Sequence, residues 1–279
     1  MPHTDQAAHA RDDSNGEAAR FRRSPFYDAL RRALARRGAR PEELCDCDDP
    51  ASRRLLTEYG AMFVCADSVR VPRVLTFRSE EEVAEFQREA EPRAAEIGGF
   101  NVELQRAALD ALLAACGEAR AEGLSITPRG AVAARRGYAD TVRLWDSRVR
   151  PALEHWTGER KLAREEAECL RCMEPAEQLS EVLRLEARGL FFSKDWTKTI
   201  LQSVAAPGAS QHLAMLAFDA AEFTDARVRE IFFRHGWFQT VLSDLPHFTF
   251  LGVREKELPA LGLRRVDECG QSFWVPDLG

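Results

Sequence analysis

The 279-residue sequence predicts an α+β fold, mainly helical through its first two thirds and strand-like beyond. Three observations predict it. Apolar residues recur every three or four positions in several segments between residues 24 and 188. Residues 104–121 are rich in Ala and Leu, which favour helix. After Gly189 the sequence turns aromatic and β-branched, with tight turns, to about Val253.

Taken in order, residues 1–25 are polar, rich in small and charged types and without periodicity, the composition of a disordered tail. A helix is expected over 24–37, where Phe26, Leu30 and Leu34 repeat every four residues. An apolar-rich segment follows at 54–64. Val69, Val71, Val74 and Thr76 suggest a short strand, and Pro72 confines it to a sheet edge. Ser79 followed by three glutamates reads as an N-cap with a first turn matched to the helix dipole. Residues 124–127 form a strand candidate ending at Pro128-Arg129-Gly130. A long helix is expected over 133–156, with Tyr138, Val142, Trp145 and Val149 along one face and Pro151 as a break or kink. A third long helix covers 161–188, interrupted at Pro175. The expected division is a tail (1–25), a mainly helical N-terminal region (26–120), a core (121–253) and a C-terminal extension (254–279).

Composition narrows the function classes. Apolar residues make up 45%, enough for a packed core. The formal net charge of −6, from 39 basic and 45 acidic side chains, argues against a nucleic-acid partner. No apolar run approaches the ~18 residues of a membrane span. The first 25 residues lack the apolar stretch of a secretory signal, so a cytoplasmic location is expected, or a periplasmic or extracellular one if the true start differs. Seven cysteines do not suggest a disulfide framework. Cys169-x-x-Cys172 has no second pair and no nearby histidine, so it reads as two thiols one turn apart on a helix. Cys45-Asp46-Cys47 is equally unsupported as a ligand pair.

Chemistry concentrates near the end of the chain. A Pro207-Gly208 loop delivers Ser210 and His212, and an apolar run then ends on Asp219. An unpaired buried carboxylate is costly, and a metal ion supplies a partner. Asp244-Leu245-Pro246-His247 leads into the strand-like Phe248-Thr249-Phe250. Two imidazoles and a carboxylate are a ligand set for a hydrolytic zinc ion with an open fourth position. A second carboxylate must then carry the proton of the attacking water, and Asp244, three residues before His247, suits that role. His235 precedes the Gly236-Trp237 turn and reads as structural.

The pattern Ser210-x-His212-x-x-x-x-Ala217-x-Asp219, then Asp244-x-x-His247, resembles the D-alanyl-D-alanine carboxypeptidase and dipeptidase family of zinc peptidases. The segment His235-Gly236-Trp237 resembles that family's sequence before its second histidine. The resemblance covers about residues 121–253, with the strong motifs in 207–250. It implies a small antiparallel sheet flanked by helices and carrying one zinc ion per chain, bound by His212, Asp219 and His247. It implies Asp244 as general acid/base and a substrate-holding arginine, for which Arg129 is the nearest counterpart and Arg136 the competitor. Ser210 would fix the loop or touch the ligand. The implied activity is carboxypeptidase or endopeptidase cleavage next to D-amino acids, with peptidoglycan peptides or their precursors as the partner substrate. A non-catalytic relative that binds zinc with cell-wall peptides or a protein partner is the alternative. Two departures stand out. Met215 occupies a family glycine position, an exchange expected to narrow the cleft or shift the turn. The base is Asp where many relatives have Glu, as in branches that cleave L-alanyl-D-glutamate bonds.

Overall fold

The computed structural model describes residues 16–242 and 244–279, and within them the chain is α+β with small antiparallel sheets. The first named helix, Pro25–Arg36, is capped by the Ser24 side chain and buries Phe26, Leu30 and Leu34, the spaced positions read from the sequence. A short helix, Pro41–Leu44, precedes Pro50–Tyr59, whose N-cap Asp49 accepts from the amides of Ala51 and Ser52. A tight 3₁₀ turn continues to Val64. Ser79 caps Glu80–Glu89 as expected.

Two hairpins were not expected. Strands β1 (Pro92–Ile97) and β2 (Phe100–Gln105) pair across Gly98-Gly99, both at positive φ, the backbone that a two-residue hairpin turn requires. Near the other end, β6 (Leu263–Glu268) and β7 (Gln271–Pro276) pair across Cys269-Gly270, again both at positive φ. The C-terminal extension is therefore a structured hairpin.

Between them lie the helices Arg106–Ala121, Tyr138–Gly158, Arg164–Cys172 and Pro175–Ala187. Pro151 sits inside Tyr138–Gly158 without ending it. Pro175 does split the expected helix over 161–188, opening a new helix at its first turn.

The sheet that positions the site has order β3–β5–β4: Ala217–Asp219, His247–Phe250 and Trp237–Phe238, all antiparallel. The helix Ala226–Arg234 packs Phe232 on Phe248 in a stack of ring centroids 4.2 Å apart.

Other expectations are corrected. Residues 69–77 form no strand, because their amides are taken elsewhere: Arg70 N–H donates to the Gln105 side chain, Leu75 to Leu44 O and Phe77 to Gly208 O. The candidate strand at 124–127 is reduced to one bridge, Pro128 with Ala220. Residues 16–21, expected within the tail, are helical, with Ala18 and Phe21 buried; residues 1–15 lie outside the described residues. One hydrophobic cluster runs from Phe21 to Trp274 and includes both the N-terminal region and the later segments. Among the described residues no helix is long and apolar enough to cross a membrane.

Candidate metal centre

Register puts Asp219 directly opposite His247 on β3 and β5, so both side chains stand on one face of the sheet. His212 reaches them from the turn after Gly208. That turn is held by short-range bonds: Ser210 Oγ accepts from His212 N–H, and Leu213 N–H and Met215 N–H donate to Ser210 O and His212 O. The Gly208 φ of +77° and its closeness to Phe77 leave no room for a side chain: a Cβ there would lie 2.0 Å from Phe77 O.

The three side chains converge tightly. His212 Nε2 lies 3.3 Å from Asp219 Oδ1 and 3.2 Å from His247 Nδ1, and His247 Nδ1 lies 3.2 Å from Asp219 Oδ1. The group is buried and could hold a metal ion. The far nitrogens decide what the near ones carry. His212 Nδ1 meets the Ala134 carbonyl at 2.6 Å, so it bears the proton and Nε2 keeps its lone pair. His247 Nε2 meets the Gln211 side-chain oxygen at 2.8 Å, so Nδ1 keeps its lone pair. Three acceptors therefore face one another, an arrangement that favours a cation at their centre.

Electrostatics agree with ligand duty. Burial, aided by Arg136, pushes the His212 pKa down to about 4, leaving the ring neutral at neutral pH. Arg136 Nη2 donates to Asp219 Oδ2 at 2.6 Å, leaving Oδ1 for the cluster.

These contacts also explain why the helix expected from residue 133 begins only at Tyr138. Ala133 O accepts from Asp219 N–H, Ala134 O from His212 and Arg136 O from the Gln87 amide. Those carbonyls are spent on the site rather than on a helical turn.

A cleft of about 370 Å³ opens over the cluster, lined in part by Tyr59, Arg129, Arg136, Arg148, Ser210 and Asp244. Burial raises the Asp244 carboxyl above its ordinary value; His247 opposes this and the charge of Asp219 adds to it. The Arg129 guanidinium lies 5.2 Å from the Phe223 ring centroid and makes no hydrogen bond or ion pair among the described residues. Its backbone N–H donates to Asp219 O, which fixes the residue beside the cluster.

All seven residues picked from the sequence line this cleft, but with different tasks. Arg136, expected as a competing substrate contact, pairs with Asp219. Ser210 is buried and braces the His212 turn. Met215 is fully buried and is not among the cleft-lining residues, so it does not narrow the cleft. Its φ of +55° supplies the physical reason for a glycine at such a position. His235 pairs with Glu118 at 2.6 Å, away from the cluster, as a structural residue. Gln211 and Ala134 O were missed. Gln211 is adjacent to His212 but carries no motif signal, and a carbonyl contact leaves no trace in residue identity. Cys169 and Cys172 are both free and exposed. No protein-family model, no curated protein and no solved structure matches the chain.

Proposed function

We propose that the protein is a zinc-dependent peptidase, a carboxypeptidase or endopeptidase acting next to D-amino acids in peptidoglycan or its precursors. The observation that carries the metal part is the convergence of three unprotonated ligand atoms 3.2–3.3 Å apart. Donor atoms about 2.0–2.2 Å from a tetrahedral zinc ion stand about 3.3–3.6 Å from one another, so the triangle fits with little adjustment. Two imidazoles and one carboxylate are also the donor chemistry zinc prefers in hydrolytic sites. The peptidase part and its substrate rest on the resemblance of the Ser210–Asp219 and Asp244–His247 segments.

When bound, zinc supplies Lewis acidity, polarising a carbonyl and lowering the pKa of water to about 7. The remaining work belongs to the chain. Asp244 takes the proton of the attacking water and returns it to the leaving amine. Arg129, whose guanidinium makes no ion pair among the described residues, holds the substrate carbonyl or carboxylate and offsets charge developing on oxygen. Arg136 keeps Asp219 aimed through Oδ1.

Metal analysis of purified protein tests the first half. Wild type should carry zinc in stoichiometric amount, and the His212→Ala and His247→Ala variants none; wild type unable to take up zinc sinks the reading. Assay on a panel of D-amino-acid peptides tests the second. Asp244→Ala should retain zinc and lose about 10²–10⁴ in rate, and full activity in that variant removes Asp244 from its role. Zinc binding by wild type without turnover of any such peptide would instead favour a non-catalytic binder of cell-wall peptides or of a protein partner.

A further inference from the structure

Gln211 is 1% exposed and hydrogen-bonded at both ends of its amide. Its nitrogen donates to the Tyr59 backbone carbonyl at 3.0 Å, which can only accept. That contact decides which way the amide points, so the oxygen must face His247. The oxygen then accepts from His247 Nε2 and from Thr249 Oγ1. Two hydroxyls close the ring: the Gln211 nitrogen also reaches Thr240 Oγ1 at 3.5 Å, and Thr240 and Thr249 share a 2.7 Å bond. Either hydroxyl can be the donor, so this ring follows the amide in either sense, and the Tyr59 carbonyl alone orients it.

From this geometry we infer that Gln211 is the positioning residue of the metal centre: by accepting the Nε2 proton of His247, it makes Nδ1 the ligand nitrogen. The inference rests on the metal reading above. His212 and His247 present opposite nitrogens to the cluster, Nε2 and Nδ1, and each is set by an acceptor on its far side. For His212 the acceptor is a backbone carbonyl that substitution cannot remove. For His247 it is a side chain, and therefore a point of control. The orientation signal originates outside the motif region, because Tyr59 ends the helix Pro50–Tyr59 and its own hydroxyl is anchored on Leu201 O at 2.8 Å. The N-terminal region thereby sets the aim of a ligand nearly two hundred residues further along the chain.

The test is zinc affinity by competition with a chromophoric chelator, with thermal melting of the metal-free forms as a fold control. Gln211→Met keeps the length and bulk of the side chain but offers no acceptor, and it should weaken zinc binding by about 10–100-fold. Gln211→Glu keeps the acceptor and, protonated on the oxygen that faces Tyr59 O, should retain wild-type affinity. Wild-type affinity in Gln211→Met overturns the inference, as does equal loss in Met and Glu variants that melt like wild type. Should Gln211→Met fail to fold, ¹⁵N imidazole shifts of metal-free wild type decide: a proton on His247 Nε2 supports the assignment and one on Nδ1 overturns it. Failure of wild type to bind zinc would overturn the metal reading, and the imidazole measurement would still decide the orientation.

Discussion

At the residue scale the cluster separates atoms that would touch a metal from atoms that aim them. Arg136 illustrates the second kind: its bond to Asp219 Oδ2 commits the carboxylate to one orientation. Arg136→Met should lower zinc affinity about 10-fold, less than loss of a ligand, by the same competition measurement. Glu58 gives a pH prediction away from the cluster. It is 7% exposed, and burial raises its carboxyl above the ordinary value while Arg54 pulls it down. A carboxyl whose folded pKa is raised costs stability once it ionises. Its contribution is intact below the unfolded value of about 4.3 and is lost as pH rises through the folded one. Glu58→Gln should therefore gain stability relative to wild type between pH 4 and 7, measured by urea unfolding at both pH values; a constant difference would contradict this.

At the element scale, the loop that carries His212 depends on its contact with residues 69–77. Phe77 N–H donates to Gly208 O, and Gly208 N–H donates to Thr141 Oγ1. Gly208→Ala combines a left-handed backbone with a clash against Phe77 O, and should cost about 2–4 kcal/mol, seen as a lower urea midpoint. Elements with local signals were readable in the sequence: the Ser79 cap, the Phe26–Leu34 spacing and Pro175 as an interruption of the helix over 161–188. Elements shaped by distant partners were not. Residues 133–137 have helix-favouring composition, yet their carbonyls serve Asp219, His212 and Gln87. The 69–77 segment has β-branched residues, yet its amides bond to Gln105 on β2, to Leu44 at a helix end and to the Gly208 loop. Both hairpins carried a turn signal, Gly98-Gly99 and Cys269-Gly270, that the flanking charged residues obscured. The candidate ligands were readable from their residue types and motif spacing; that Asp219 and His247 stand opposite each other on β3 and β5, with His212 reaching them from a turn, was not.

At the scale of the whole molecule, one core serves the entire described chain, and Phe26 N–H donates to Asp277 O, joining the first named helix to the segment after β7. The cleft draws its walls from Tyr59, from residues 129–148, from 201–212 and from 241–247, with Ser243 outside the described residues. Such a site exists only after these segments have closed on one another, so zinc should stabilise the folded state and not the unfolded chain. At about 100 times its dissociation constant the gain is about 2.7 kcal/mol, read as a rise in melting temperature that His212→Ala abolishes. A site completed late in assembly has a kinetic consequence as well. Zinc should leave the refolding rate nearly unchanged and act on the reverse step, so the bound protein would be distinguished by how slowly it comes apart rather than by how quickly it forms.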